Sequence, residues 1–155
     1  MALLNDPDRR VRATAIKIVQ LSGSPDGMRL LVAALGDPDR RVRANAVEAF
    51  EDGGDAQCIP LLRPYLRDPD NRVRANVAKA LWNLGSEEGR AALLIMLRQP
   101  EEAMRLSAVW AIGEVRFPGA IDLLMAHIEG ERSTLVRAKI GEVLSRPPQK
   151  GAPGS

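Results

Sequence analysis

The segment Asp6–Ala13, with the sequence DPDRRVRA, returns unchanged at Asp37–Ala44 and with one substitution, as DPDNRVRA, at Asp68–Ala75. The copies begin thirty-one residues apart, and the same interval leads to QPEEAMRLSA at Gln99. A fifth copy, GERSTLVRA, begins at Gly130 and carries one additional residue before its arginine. A fixed period of this length is typical of stacked helix pairs, because one pair cannot bury its apolar side without a neighbour. The repeat therefore predicts an all-α solenoid.

Each repeat has the pattern of two helices separated by a short turn. In the unit at residues 24–54, Ser24 and Asp37 are expected to cap the two helices, and each precedes a proline that fits the first helical turn. The second helices are expected to end at glycines, because glycine readily adopts the left-handed conformation that closes a helix. These glycines are Gly23, Gly54 and Gly85.

Apolar residues recur at three- and four-residue steps along the second helices, so each of these helices is expected to bury one stripe. In the unit at residues 55–85 the stripe comprises Val73, Val77, Ala80, Leu81 and Leu84. The first helices are shorter and rich in leucine, and Pro64 predicts a local kink in one of them.

A single solenoid of antiparallel helix pairs is predicted for residues 1–146, with about four and a half repeats. Its units are a partial repeat at 1–23 and full repeats at 24–54, 55–85, 86–116 and 117–147. Residues 147–155 are rich in proline and glycine, and we expect a disordered tail or a remnant of cloning there.

The opening unit has the pattern of half a repeat, so part of its apolar side is expected to be uncovered. The residues concerned are Val11, Ile16, Ile18 and Val19. The chain is then either a piece of a longer protein or one that another subunit covers. We expect either a monomer or a weak homo-oligomer whose subunits associate through this N-terminal edge.

Composition and charge narrow the class of protein. The 22 Lys and Arg residues exceed the 20 Asp and Glu residues by only two, which does not favour nucleic acid as the partner. The chain has no secretion signal and no apolar run near the roughly 18 residues of a membrane span, so a cytoplasmic protein without membrane contact is expected.

Catalysis and metal binding have little support in the sequence. Cys58 and His127 are the only residues of their types and lie far apart in the array, whereas a zinc site needs three or four ligands. No phosphate-binding GxxxxGK[ST] loop and no serine elbow is present. We therefore expect no catalytic residue, no metal and no cofactor.

A leucine-rich helix, an Asp-Pro-Asp turn and a second helix beginning Val-Arg-x-x-Ala together resemble the HEAT repeat, in particular the short bacterial HEAT-like form of the phycobilisome (PBS) lyase type. The resemblance implies that the second helices line a concave face and that each turn aspartate binds the arginine of a neighbouring unit. This structural ladder would comprise Asp6, Asp37 and Asp68 with Arg12, Arg43, Arg74, Arg105 and Arg137. Because Gln99 replaces the aspartate, we expect the ladder to weaken after Arg105, and the additional residue near Ser133 to shift the register of the last unit.

One polar face of the second helices forms a grid of positions on the concave side. Trp110 is unusual there because the other units have a lysine or glutamate at its position, and Trp82 lies close to the same edge. Tryptophan is frequent at interface hot spots. The predicted partner-binding residues are Trp82, Trp110, Lys79, Asn83, Glu114, Asn76, Ser107, Arg41 and Arg72. Alternatively, both rings fold over a boundary between helices.

The sequence therefore favours a non-catalytic scaffold that binds a protein or peptide on its concave surface. Two alternatives stay open. Arginines are frequent at the starts of the second helices, at Arg9, Arg10, Arg40, Arg41 and Arg72. Their ordinary role is pairing with nearby aspartates, and the functional alternative is contact with an acidic partner or a phosphate backbone. The resemblance also allows a phycobilin lyase-like subunit.

Overall fold

The computed structural model describes residues 2–22 and 25–147. The α-helices are α1 (Arg9–Ser22), α2 (Pro25–Leu35), α3 (Arg40–Gly53), α4 (Ile59–Leu62), α5 (Asn71–Asn83), α6 (Glu87–Leu97), α7 (Glu102–Val115), α8 (Ala120–Gly130) and α9 (Thr134–Ser145). Short 3-10 helices cover Ala2–Asn5, Ala56–Cys58 and Arg63–Arg67, and these described ranges contain no strand. The predicted tail, beyond residue 147, and the predicted cap residues Gly23 and Ser24 lie outside the described residues.

The second helices of the repeats stack in chain order, with α1 packing on α3, α3 on α5, α5 on α7 and α7 on α9. The first helices α2, α6 and α8 each pack against the second helix that follows them. Each unit thus packs mainly on its neighbours in the chain, which confirms the predicted all-α solenoid.

Two clusters of apolar side chains fill the solenoid, and both include residues of α5. Val73, Val77 and Leu81 are fully buried in the N-terminal cluster, whereas Ala75 and Ala78 are fully buried in the C-terminal cluster. The predicted apolar stripe is confirmed. The helix α5 therefore lies between the two clusters and contributes side chains to each.

The first helix of the unit at residues 55–85 is irregular, as Pro64 predicts. It consists of a 3-10 turn, the four-residue α4 and the 3-10 helix Arg63–Arg67, which contains the proline. Proline lacks the N–H that an α-helix needs at an interior position, so the tighter 3-10 helix replaces a regular helix here.

The helix α3 begins two residues later than predicted. Its N-cap is Asp39 and not Asp37, because Asp39 Oδ1 accepts a hydrogen bond of 2.8 Å from the N–H of Arg41. Asp37 precedes the helix, and its Oδ1 accepts a 2.8 Å hydrogen bond from the N–H of Asp39. The carboxylate of Asp37 is thereby positioned for a contact with another unit.

In the described part of the chain, the second helices α3, α5 and α7 are each followed by a residue in the left-handed conformation. Gly54 and Gly85 have φ angles of 67° and 91°, which confirms two of the predicted glycine ends. The equivalent residue of the fourth unit is Arg116, with a φ of 44°. Its Nη2 donates to the carbonyl oxygens of Val143 and Arg146, at 3.2 and 2.8 Å. Arg116 therefore adopts an unfavourable backbone conformation and caps the last helix, α9.

An ionic ladder connects the first three units, as the resemblance implies. Arg12 donates from Nε and Nη2 to both carboxylate oxygens of Asp37, at 2.8 and 3.0 Å. Arg43 forms the same bidentate contact with Asp68, at 2.8 and 2.9 Å. Bidentate pairs of this kind fix the relative position of the two groups. Asp6, which begins the ladder in sequence, accepts instead from the N–H of Asp8.

The interruption of the ladder lies at Arg74, so the prediction that the ladder weakens after Arg105 is wrong. Because the next turn has a glutamine, Arg74 has no carboxylate partner among the described residues, and its Nε donates to the backbone oxygen of Asp68. Arg105 forms a bidentate pair with Glu131, at 2.8 and 3.0 Å. Arg137, at the end of the ladder, donates to the backbone oxygens of Ile128 and Glu131.

Glu131 replaces the turn aspartate in the last unit. It precedes Arg137 by six residues, the same interval as between Asp37 and Arg43. The additional residue of this unit therefore precedes Glu131, where α8 continues to Gly130, and its predicted position near Ser133 is wrong.

The buried carboxylate of Glu131 is expected to make stability depend on acid pH. Hydrogen bonds from Arg105, followed by those from the N–H of Ser133 and from His127, lower the pKa of Glu131 from 4.5 to about 2, although burial opposes the shift. A group with a lowered folded-state pKa stabilises the fold above its unfolded value, and this stabilisation is lost as pH falls from about 4.5 through about 2. Glu131→Gln should lower the melting temperature at pH 7. It should also make the melting temperature fall less steeply as the pH is lowered from about 4.5 to about 2.

Thermal unfolding followed by circular dichroism at several pH values from neutral to acidic would measure the effect. Glu129→Gln is the matched control, because Glu129 is exposed and makes no ion pair with a described residue. A Glu131→Gln variant whose melting temperature falls with acid as steeply as the parent's would contradict the assignment.

The N-terminal edge exposes part of α1, as expected. Ile18 and Leu21 are 55% and 87% exposed, whereas Ile16 is fully buried in the core. Association of two copies through this edge stays a prediction.

Candidate functional site

A cavity of about 580 Å³ opens on the face formed by the second helices. The helices α1, α3, α5, α7 and α9 all contribute side chains to its lining. Five of the predicted partner-binding residues lie there, namely Arg41, Arg72, Asn76, Ser107 and Trp110. Leu106 and Lys139, which the sequence-based selection omits, line it as well. The repeat thus brings equivalent positions of separate units into one continuous surface.

Trp110 is the aromatic residue among the side chains that line the cavity. It is half-buried, because part of the indole packs against the C-terminal apolar cluster while the rest lines the cavity. Its indole N–H donates no hydrogen bond to a described residue, and this group is not fully buried. A bound molecule could therefore contact both an apolar ring surface and a hydrogen-bond donor.

Arg41 and Arg72 occupy equivalent positions in adjacent helices and are both exposed. The nearby N-cap carboxylates are already engaged. Asp39 accepts from the N–H of Arg41 and pairs with Arg9, at 3.5 Å, while Asp70 accepts from the N–H of Arg72 and pairs with Arg40, at 3.0 Å. No ion pair within the described part of the chain includes the guanidinium of Arg41 or Arg72.

Side-chain amides fix the walls of the cavity. Asn45 donates from Nδ2 to the carbonyl oxygen of Ala13 at 3.0 Å, and Asn76 donates to Glu48 at 3.1 Å. These hydrogen bonds connect neighbouring units, so the walls are held in place before any molecule binds. Glu48, whose carboxylate accepts from Asn76, also places a negative charge in the cavity lining.

The remaining predicted partner-binding residues contact other units and are not in the lining of the cavity. Lys79 donates to both carboxylate oxygens of Glu51, at 2.8 and 2.6 Å, and Asn83 donates to the same carboxylate at 2.6 Å. Glu114 pairs with Arg146 at 3.1 Å. Glu51 is the residue that the sequence-based reading missed. Its position faces the following unit in each repeat, as Gln20 shows by donating to Asp52, and this recurrence is the signal that could have identified it.

The two tryptophans lie in different surroundings. Trp82 packs edge-to-face on Phe117, with ring centroids 5.7 Å apart. The guanidinium of Arg90 lies over the same Phe117 ring, 5.3 Å from its centroid. This placement matches the alternative in which the Trp82 ring covers a boundary between units. The structure does not bring Trp82 and Trp110 together in one cavity.

The residues considered for chemistry are embedded in the fold. Burial raises the pKa of the Cys58 thiol, and His127 contacts the buried carboxylate of Glu131 at 3.2 Å. Within residues 2–22 and 25–147, no three His, Cys, Asp or Glu side chains gather as a metal site requires. In the same ranges no helix combines the length and the apolar character of a membrane span.

Comparison with known proteins agrees with the repeat architecture. The HEAT repeat family matches the sequence over residues 1–72, 28–104 and 59–145. The chain therefore belongs to the HEAT repeat family. No curated protein matches it in sequence.

Comparison with solved structures finds further repeat proteins. The complex of CpcE and CpcF of phycocyanin lyase from Nostoc sp. PCC7120 superimposes with a TM-score of 0.59 and 21% sequence identity. The match covers 93% of this chain and 63% of that one, so the chain spans less than two thirds of its structural relative. A designed armadillo repeat protein matches with a TM-score of 0.46 and 18% identity over 92% of this chain and 78% of its own. At 21% identity, the similarity to the phycocyanin lyase complex concerns the fold alone.

Proposed function

We propose that this HEAT repeat chain is a non-catalytic interaction module that holds a segment of another protein in its concave cavity. The observation that carries the proposal is the half-exposed Trp110 in a cavity to which five helices contribute. Repeat scaffolds of this type act through such extended surfaces. The amide-fixed walls support the proposal, because a preformed site spends little free energy on ordering when it binds.

Nucleic acid is the less favoured partner. Glu48 and Asp70 lie in the cavity lining together with the arginines, and the chain carries a net charge of only +2. A phosphate backbone has closely spaced negative charges and would meet these carboxylates along its path. The phycobilin lyase-like alternative rests on a likeness of fold, and no observation in the cavity favours a chromophore over a peptide.

Trp110→Ala is expected to weaken peptide binding at least tenfold, because truncation removes an apolar anchor and an N–H donor. A phage-displayed library of peptides of about 12 residues, whose extended length of about 40 Å matches five stacked helices, would be selected on the parent chain. Selected peptides would be synthesised with a fluorescent label, and their affinity measured by fluorescence anisotropy.

Trp82→Ala is the matched control, because its ring lies in the unit boundary and not in the cavity lining. Melting temperatures of both variants would be measured so that a loss of fold is not taken for a loss of binding. Peptides that bind equally well to the parent and to a folded Trp110→Ala variant would refute the proposed site.

A further inference from the structure

We propose that the partner segment is acidic, with carboxylates that bind Arg41 and Arg72 and a large apolar side chain that packs on Trp110. This inference rests on the proposed function and specifies the chemistry of the peptide. Its basis is three donor groups in the cavity that no described residue engages, namely the guanidinium groups of Arg41 and Arg72 and the indole N–H of Trp110.

Because these three groups are hydrogen-bond donors, a molecule that engages them must supply acceptors. Arginine has a planar fork of donors that matches a carboxylate, and such charge-assisted contacts are stronger than neutral hydrogen bonds. The two nearby cap carboxylates do not take this role, because Asp39 and Asp70 each use one oxygen for a helix cap and the other for Arg9 or Arg40. The two arginines are therefore available to an external acid.

The acidic groups of the cavity also restrict what can bind. Glu48 lies on α3 one turn beyond Asn45, whereas Arg41 lies near the start of the same helix. Charge therefore changes sign along α3, from positive at its start to negative further on. A segment with carboxylates at one end and apolar residues at the other fits this gradient, whereas a uniformly charged polyanion does not.

The repeat geometry gives an approximate spacing for the ligand groups. Adjacent helices in such packing lie about 9 Å apart, so Arg41 and Arg72 would contact carboxylates about three residues apart in an extended peptide. Trp110 lies one helix further and about 10 Å along the helix axis, since its position is two turns after that of the arginines. The apolar residue should therefore follow the nearer carboxylate by about four residues.

The test uses a fluorescein-labelled synthetic peptide with two glutamates about three residues apart and a phenylalanine about four residues further on, in a Gly-Ser background. The expected result is measurable binding to the 155-residue chain that weakens as salt is raised, since the contacts are exposed ion pairs. A twin peptide with glutamine at both glutamate positions should bind at least tenfold more weakly. The Arg41→Gln/Arg72→Gln variant should bind the acidic peptide as weakly as the parent binds the twin.

The control variant is Arg67→Gln/Arg98→Gln, which changes the net charge equally at exposed arginines outside the cavity lining. It should retain the parent's affinity. Absence of binding by the acidic peptide, or equal binding of the glutamine twin, would overturn the acidic-ligand inference. If library peptides of neutral or basic sequence still bind in a manner that depends on Trp110, the proposed function stands without this inference. Binding of an oligothymidine probe in place of every peptide would refute both.

Discussion

Arg43→Ala is expected to lower the free energy of unfolding by about 3 kcal/mol. The Arg43 guanidinium donates to both oxygens of Asp68 and also to the backbone oxygen of Asp37, so the substitution removes contacts with two turns. The side chains of Arg43 and Asp68 are only 12% and 3% exposed. Removing the arginine leaves the Asp68 carboxylate buried without its cation, and this unpaired charge is the main cost. Urea denaturation followed by circular dichroism would measure the change.

Arg74→Ala is the natural control for this substitution. Arg74 occupies the equivalent position one unit later, but it has no carboxylate partner among the described residues. The expected loss for Arg74→Ala is less than half of that for Arg43→Ala, because no buried charge is left unpaired. Equal losses for the two variants would show that the arginine contributes through packing or its backbone contacts, and would contradict the ladder as a source of stability.

Periodic features of the fold could be predicted from the sequence. The thirty-one-residue interval places the same residue types at the same points of each unit, so the second helices and the buried stripe from Val73 to Leu84 followed from the spacing of apolar residues. The Arg12 and Arg43 contacts followed from the family resemblance. These features depend on neighbouring residues in the repeat and are therefore visible in the pattern.

Features that depend on one unusual residue could not be predicted in this way. Glu131 restores the ladder although it belongs to a unit with an additional residue, and the contact with Arg105 shows that a glutamate takes the place of the aspartate. In the same way, the cap of α3 depends on which of two aspartates, Asp37 or Asp39, begins the helix. Sequence spacing does not distinguish Asp37 from Asp39, because both residues have a side chain that can cap a helix.

The candidate site was predictable in outline but not in its membership. The grid of concave positions includes Arg41, Arg72 and Trp110, which line the cavity, and their role in binding a partner stays a prediction. Whether a polar residue is available for a partner depends on its contacts with another unit, as for Lys79, whose ammonium binds Glu51 from a position 28 residues away. Such a long-range pair has no signature in a single repeat. The candidates for binding are thus the cavity residues whose polar groups have no partner among the described residues.

Gly89→Ala is expected to destabilise the protein by about 3 kcal/mol, at the upper end for overpacking of a core. A Cβ atom at this position would lie 2.3 Å from the carbonyl oxygen of Ala78 and 2.5 Å from the backbone N of Trp82. Both atoms belong to the backbone of α5, so no side-chain rotation can relieve the clash, and α6 must move away from α5. In an unhindered helix the same substitution would be favourable by about 1 kcal/mol, because alanine has the higher helix propensity. The clash therefore has to outweigh that gain.

Gly141→Ala separates the two effects, because Gly141 also lies within a helix, α9, but a Cβ there would have no neighbour within 4 Å. This control is expected to raise stability by about 0.5 to 1 kcal/mol through helix propensity alone. Urea denaturation of both variants at one temperature would give the comparison. Opposite signs for the two substitutions are expected because α5 and α6 approach at Gly89 more closely than any side chain permits. If Gly89→Ala were as stable as the parent, the close approach of α5 and α6 would be incorrect.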